Sequence, residues 1–208
     1  MKQNEFNPKI IIGAIFLANI LWFATFYLEF STFWIKITLS ASILAALSLL
    51  AVPGRKVRFK MDLGSVIMGL FSAMALYLIF WAGKEIASLL FPFAEQQISS
   101  IYGKGEGTSV MIIFPLLFLV TGPCEEIFWR GFLQEKLMAR YGAPAGWFLG
   151  SLVYAGVHIW SFNFMLIGAA AVAGAFWGAM YWRYRNLAPV IVSHSIWSSF
   201  IFAVAPLA

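Results

Sequence analysis

Long apolar runs separated by short polar segments make up most of this sequence. A helix needs about 20 apolar residues to cross the hydrocarbon of a membrane. Runs of this length predict seven spanning helices, at residues 9–28, 33–52, 62–83, 109–132, 143–161, 163–182 and 187–205. The longest segment between them, residues 84–108, predicts an external loop whose first part lies on the membrane surface as a short amphipathic helix.

The composition agrees with a membrane protein and not with a soluble one. Apolar residues are 62% of the 208 residues and charged residues 11%, against roughly 45–50% and about 25% in soluble domains. A water-soluble fold of this length could not bury so much apolar surface, so lipid must be part of its solvent. We therefore predict an all-α, polytopic transmembrane bundle that forms a single domain over residues 1–208.

The placement of the basic residues predicts an orientation. The net charge of +5 does not indicate nucleic-acid binding, because Lys and Arg stand at the ends of apolar runs, where they orient membrane proteins. With the N-terminus in the cytoplasm, eleven of the 14 Lys and Arg residues fall on the cytoplasmic side. The basic run at residues 55–60 is the strongest marker. The expected surroundings are a lipid bilayer, with no nucleic-acid partner.

The fourth apolar run contains three charged residues, Glu125, Glu126 and Arg130. Each costs roughly 2.5–3.5 kcal/mol near the centre of a spanning helix unless it is paired or faces a wet cavity. Glu126 and Arg130 are four residues apart, which predicts an ion pair on one helix face. Glu125 projects about 100° away from that face. We interpret Glu126 as a supporting carboxylate and Glu125 as the one available for chemistry.

Gly122 and Pro123 stand directly before the two glutamates. Because proline cannot donate a backbone hydrogen bond, it bends or interrupts a helix. We expect a break here that places the carboxylates in the first turn of the continuing helix, where the helix dipole favours anions.

The chain has two histidines, and both lie within apolar runs. Tyr154 precedes His158 by one helical turn, and Ser198 follows His194 by one turn. Ionisable side chains inside a membrane indicate a functional site by default. His158 comes late in its span, so its depth matches that of Glu125 only if the fourth helix continues outside the bilayer through Arg140.

One carboxylate and two imidazoles fit two hydrolytic schemes. In the first, Glu125 is a general base that removes a proton from a water attacking an amide, and the histidines orient the water or stabilise the oxyanion. In the second, Glu125, His158 and His194 bind zinc with an open fourth position, although the HExxH pattern is absent. No other cofactor is indicated.

Three motifs resemble those of the CPBP family, which contains the CAAX prenyl protease 2 type enzymes and the Abi-type bacterial membrane proteins. The segment from Glu125 through Glu126 to Arg130 resembles the EExxxR motif. Tyr154 and His158 resemble the second motif, an aromatic residue four before a histidine. His194 and Ser198 resemble the third, a histidine followed four later by Asn or Asp. The resemblance covers about residues 110–205, a CPBP-like catalytic core, with the motifs in the family order.

This resemblance implies a glutamic-type intramembrane endopeptidase that cuts a membrane-embedded or lipidated protein. The first glutamate of the family activates water, its neighbouring glutamate and arginine shape the site, the first histidine assists, and the second forms the oxyanion pocket. The residues that carry these roles here are Glu125, Glu126, Arg130, His158 and His194, with Tyr154 and Ser198 in oxyanion or support positions. Ser198 departs from the family, because serine has a shorter side chain than Asn and donates one hydrogen bond. The small size predicts a member from a prokaryotic cytoplasmic membrane.

Two other hypotheses stay open at this point. One is a non-catalytic member of the same fold, acting in Abi-type immunity or as a membrane scaffold. The other is a proton-coupled transporter, since Glu and His also build proton relays. The chain shows no obvious repeat of two halves, which many transporters have. The complete set of Glu, Glu, Arg, His and His favours the protease.

Overall fold

The computed structural model describes residues 7–50 and 58–207, and in these ranges the chain is helical, without β-strands. The basic run that predicts the orientation lies partly outside the described residues. The helices are α1 (Pro8–Phe26), α2 (Phe33–Leu50), α3 (Leu63–Leu90), α4 (Ala94–Tyr102), α5 (Val110–Tyr141), α6 (Ala143–Val157), α7 (Phe164–Tyr184) and α8 (Leu187–Ala203).

Polar residues at the run boundaries set where helices begin. Asp62 caps α3: its carboxylate accepts a hydrogen bond from the backbone N–H of Ser65 at 2.8 Å. This bond holds the pKa of Asp62 below its ordinary value. The side chains of Asn7, Asn163 and Asn186 cap α1, α7 and α8 in the same way. Such side-chain acceptors satisfy backbone N–H groups that have no partner within the helix.

The helix α5 has no break at Gly122 and Pro123, so that prediction is wrong. The backbone stays helical from end to end, with two widened turns at residues 116–121 and 129–134. Such π-type turns insert extra backbone into a helix and occur frequently at functional sites. The regular segment between them, Gly122–Phe128, carries both glutamates.

The prediction of a polytopic helical bundle is confirmed. Each predicted span corresponds to a helix, and five of these, α1, α2, α3, α5 and α7, are long and apolar enough to cross a membrane. The helices α6 and α8 have 15 and 17 residues, which gives lengths of about 22 and 25 Å at 1.5 Å per residue. Large apolar side chains are exposed along the spans, as contact with lipid requires; among them are Ile12, Phe16, Leu39, Phe71, Leu78 and Leu119.

Two span boundaries differ from the prediction. The helix α3 continues to Leu90, so residues 84–90 belong to a long helix and not to a surface helix; α4 follows as a separate short element. The helix α5 continues to Tyr141, which is the extension that the depth of His158 required. The chain leaves α5 at Gly142, whose φ of 86° is a backbone conformation that glycine adopts without strain.

Successive spanning helices alternate in direction, so their ends lie on two faces. We call the one where α1 begins the N-terminal face. There Glu135 accepts hydrogen bonds from the Tyr181 hydroxyl and the Arg185 guanidinium, both at 2.8 Å. At the opposite face, the Asn163 side chain donates to the Gln97 carbonyl at 2.8 Å and so holds α4 against the start of α7. The cytoplasmic location of the N-terminal face stays a prediction.

The interior consists of two apolar clusters. The first joins α1, α2, α5 and α6 and includes Trp22, Trp34 and Tyr154. The second joins α3, α7 and α8 and includes Leu76 and Trp177. The two clusters approach each other where α6 packs on α7, and the candidate site residues lie there.

Close packing of α6 on α7 depends on two glycines. A Cβ at Gly174 would stand 2.9 Å from the Tyr154 ring, and a Cβ at Gly178 would stand 2.9 Å from the Trp147 ring. Both distances are shorter than side chains tolerate. The helices can therefore approach only because these positions have no side chain, as small residues allow in membrane bundles.

We expect Gly178→Ala to destabilise the protein by about 1–3 kcal/mol, the usual range for overpacking. Thermal unfolding in detergent measures the effect. Gly168→Ala is the matched control, since a Cβ at Gly168 in the same helix meets nothing within 4 Å. Equal unfolding midpoints for the two variants would contradict the packing argument.

Candidate active site

A buried ion pair lies at the centre of the site. One oxygen of Glu126, Oε1, accepts hydrogen bonds from the Arg130 guanidinium at 2.9 Å and from His194 Nδ1 at 2.7 Å. Glu126 is 0% exposed and Arg130 2% exposed. The ion pair predicted from the spacing of four is therefore confirmed. His194, on α8, joins it as a third member.

Aromatic rings and a backbone carbonyl complete the surroundings of Arg130. Its guanidinium carbon lies 4.6 Å from the centre of the Tyr154 ring and 5.6 Å from that of Trp177. It also donates to the carbonyl of Gly174 at 3.2 Å. Cation–π contacts of this kind are strongest where water is excluded. The guanidinium thus links α5 to α6 and α7 while its charge is offset by Glu126.

The Glu126 carboxylate fixes the orientation of His194. A carboxylate only accepts, so Nδ1 of His194 carries the proton in their hydrogen bond. The imidazole also stacks on Trp177, with ring centres 3.9 Å apart and planes 16° from parallel. Trp177 is held in turn by its indole N–H, which donates to the Ser193 hydroxyl at 3.1 Å. The histidine keeps Nε2 for other partners, and it borders a cavity.

Glu125 has a partner from a different helix. The hydroxyl of Tyr154 donates to Oε2 of Glu125 at 3.0 Å. The other carboxylate oxygen makes no hydrogen bond within the described part of the chain. Glu125 is 6% exposed, so it is a nearly buried acid with one oxygen oriented and one oxygen unengaged.

Both ring nitrogens of His158 are engaged. Its Nδ1 lies 2.7 Å from the Tyr154 carbonyl, and its Nε2 lies 3.3 Å from the indole Nε1 of Trp22. A carbonyl only accepts and an indole N–H only donates. These contacts fit the neutral imidazole with its proton on Nδ1. His158 therefore holds the backbone of Tyr154, and Trp22 covers its remaining lone pair.

Ser198 uses its hydroxyl on its own helix. It donates to the carbonyl of His194 at 2.8 Å, which is the local bond that serine often makes one turn back. Ser198 therefore lies one helical turn from His194, but its hydroxyl hydrogen is already donated to a backbone carbonyl. The other predicted site residues come from α5, from α6 and the turn that follows it, and from α8. They form two adjoining hydrogen-bonded groups: Glu126, Arg130 and His194 in one, and Glu125, Tyr154 and His158 in the other.

The zinc scheme requires Glu125, His158 and His194 to converge on one point. Among the described residues, no three His, Cys, Asp or Glu side chains form a group that could hold a metal ion. The nitrogens of His158 and Nδ1 of His194 are directed at other partners. The donor arrangement does not fit that ligand set.

A cavity of about 430 Å³ borders the site. It lies between α3, α4, α7 and α8, and its walls are mainly apolar. Tyr154, His158 and His194 line it at the site, whereas Lys84 and Tyr102 line it near the opposite face. The cavity thus extends from the histidines along α3 and α7 to the opposite face.

Sequence reasoning missed two tryptophans that shape the site. Trp177 stacks on the His194 ring. Its presence as a large aromatic residue within the Gly- and Ala-rich α7 was the sequence signal that could have indicated a role in the site. Trp22 reaches His158 from 136 residues away, and no motif connects them.

Residues 107–200 match the family described as type II CAAX prenyl endopeptidase Rce1-like. The match contains all three motifs and extends from α5 to near the end of α8. Comparison with curated proteins gives no significant match, and comparison with solved structures gives none either. The match confirms the resemblance seen in the motifs: residues 107–200, which hold the paired glutamates, Arg130 and both histidines, are similar to the Rce1-like family of type II CAAX prenyl endopeptidases.

Proposed function

We propose that this integral membrane protein hydrolyses a peptide bond of a membrane-anchored or lipidated protein with a water activated by Glu125. The family indicates a membrane protease of the CAAX type; the roles of individual residues are our proposal. One observation carries it. Glu126 is fully buried and binds Arg130 and His194 through Oε1, while its Oε2 is enclosed without a partner. The adjacent Glu125 is bound only by the Tyr154 hydroxyl, and its other oxygen is unengaged and not fully enclosed.

Glu125 is suited to act as the general base. The Tyr154 hydroxyl fixes one of its oxygens, so the other can accept a proton from water in a defined direction. The water oxygen then bonds to the carbonyl carbon of the substrate while its proton moves to Glu125. When the C–N bond breaks, that proton passes to the leaving nitrogen, and the carboxylate is restored.

His194 is suited to stabilise the oxyanion. Its Nδ1–H is bound to Glu126, which orients the ring so that Nε2 lies on the side away from that carboxylate. An Nε2–H at the cavity wall can donate to the negative oxygen that develops on the carbonyl. Arg130 offsets the negative charge of Glu126 through their ion pair.

His158 and Ser198 have positioning roles in this proposal. His158 holds the Tyr154 backbone, which in turn sets the position of the hydroxyl on Glu125. His158 could contact substrate through Nε2 only if the hydrogen bond from the Trp22 indole N–H to that nitrogen were broken. Ser198 supports the His194 backbone from the following turn.

The cavity is the place where we expect substrate to bind. Its volume of about 430 Å³ lies within the range of roughly 300–1,000 Å³ for small-ligand sites. That space accommodates a short extended segment with apolar side chains. An apolar segment from the bilayer can reach His194 between α3 and α7 without crossing water.

Glu125→Gln should reduce the rate of cleavage by about 100-fold or more, because an amide cannot take the proton of water. The variant should still fold, since its side-chain oxygen can accept from Tyr154. Cleavage of a lipidated peptide in liposomes measures the rate, and Glu106→Gln, an exposed position, is the control. Equal cleavage by wild type and Glu125→Gln would contradict the proposed base. Cleavage by neither would favour the non-catalytic hypothesis.

Arg130→Met should destabilise the protein by about 3–5 kcal/mol, because it leaves the buried charge of Glu126 without its main partner. The double variant Glu126→Gln/Arg130→Met should recover part of this loss. Thermal unfolding of the three proteins in one detergent provides the comparison. A double variant less stable than Arg130→Met alone would show that the charge is not the cause.

Ser198→Ala should retain most of the wild-type cleavage rate, because the hydroxyl is bonded to the His194 carbonyl. His194→Ala should lose about 100-fold or more, as removal of an oxyanion donor does in other hydrolases. Initial cleavage rates of the two variants and the wild type are measured in the same liposome assay. A loss for Ser198→Ala as large as that for His194→Ala would assign the serine to the oxyanion pocket.

A further inference from the structure

Two lysines lie together at the opposite face, around the turn between α1 and α2. The ammonium of Lys104, in the turn Gly103–Gly105, lies 5.6 Å from the ring centre of Phe26 and 5.2 Å from that of Phe33. Lys36, in the first turn of α2, is only 9% exposed. It donates to the carbonyl of Leu28 and lies 5.4 Å from the ring centre of Phe30. We call Lys36 and Lys104 the lysine pair.

Neither member of the lysine pair forms an ion pair with a described residue. The carboxylates closest in sequence, Glu29 and Glu106, are both exposed and do not come within ion-pairing distance of either ammonium. Burial, and then the positive charge of Lys36, lower the pKa of Lys104. Two like charges therefore share a poorly hydrated region without a carboxylate to offset them.

Such an arrangement is costly unless an anion joins it. Removing a charge from water without a partner is unfavourable, and cation–π contacts offset only part of that cost. The ammonium of Lys104 has no hydrogen-bond acceptor among the described residues, so its three N–H groups remain to be satisfied. An anion held by both lysines would remove the repulsion and supply charge-assisted hydrogen bonds.

The position of the lysine pair indicates which anion is available. It lies at the end of α1 and the start of α2, where Tyr27 and Phe30 are exposed, as aromatic residues are at the membrane–water boundary. Phospholipid phosphates lie at this depth. The exposed apolar side chains Ile35 and Leu39 continue along α2 toward the bilayer centre, where acyl chains would contact them.

We propose that the lysine pair binds the phosphate group of an anionic phospholipid. The bound phosphate bridges Lys36 on α2 to Lys104 on the segment after α4 and so fixes that segment against the turn between α1 and α2. The Phe26 ring, which lies beneath Lys104, also contacts the His158 ring with centres 5.7 Å apart. The lipid therefore lies one aromatic ring away from the candidate site, although its binding does not depend on the proposed proteolysis.

Thermal unfolding in nanodiscs tests this site. Phosphatidylglycerol, compared with phosphatidylcholine, should raise the unfolding midpoint of the wild type. The double variant Lys36→Met/Lys104→Met should lose about tenfold or more in phosphatidylglycerol affinity, measured by native mass spectrometry. The control Lys9→Met/Lys60→Met removes the same charge from the N-terminal face. An equal loss in the control would overturn the proposal.

Two further measurements separate binding from a structural role and identify the source of the phosphate. In phosphatidylcholine, Lys104→Met should be at least as stable as the wild type, because the repulsion is gone; in phosphatidylglycerol it should be less stable. If Lys104→Met were more stable than the wild type in both lipids, or less stable in both, the proposal would be overturned. Inorganic phosphate added to phosphatidylcholine nanodiscs should not stabilise the wild type. Equal stabilisation by inorganic phosphate would assign the site to soluble anions and overturn the lipid as ligand.

Discussion

The buried Glu126–Arg130 pair is the interaction on which the site depends. Charged groups in an apolar interior are tolerated only when their neighbours satisfy them completely. Arg130 meets this condition with Glu126 on its own helix, the Gly174 carbonyl on α7, and the rings of Tyr154 and Trp177. Because these partners come from three helices, satisfying one charge also fixes the relative positions of α5, α6 and α7.

The same pair determines what the neighbouring groups can do. Glu126 also accepts a hydrogen bond from Nδ1 of His194, so the proton of that ring is on Nδ1. Nε2 is not used in this bond, and His194 lines the cavity. Among the described residues, Glu125 has no cation at hydrogen-bonding distance, and Tyr154 orients only one of its oxygens. Two adjacent carboxylates therefore acquire different chemistry from their partners alone, as paired acids do in other hydrolases.

The sequence predicted the features that follow from local spacing. The spacing of four from Glu126 to Arg130 predicts a contact on one helix turn, and apolar runs of about 20 residues predict the spanning helices. The predicted break at Pro123 was wrong because the turn before it, residues 116–121, is widened but still helical, and the helix continues through Pro123. The end of α3 was missed because Lys84 and Glu85 resemble a boundary, although a long helix can present such residues at the membrane surface. The hydroxyl bond of Ser198 to the His194 carbonyl depends on rotamer choice, which spacing does not determine.

Helices outside the matched segment complete the site. Residues 107–200 supply the glutamates, Arg130 and both histidines, but Trp22 on α1 provides the indole N–H that covers His158 Nε2. The helix α3 forms a wall of the cavity that leads to His194. The matched segment alone would therefore leave His158 with an exposed lone pair and the cavity without one side. The N-terminal helices thus cover Nε2 of His158 and form one side of the cavity that borders the site.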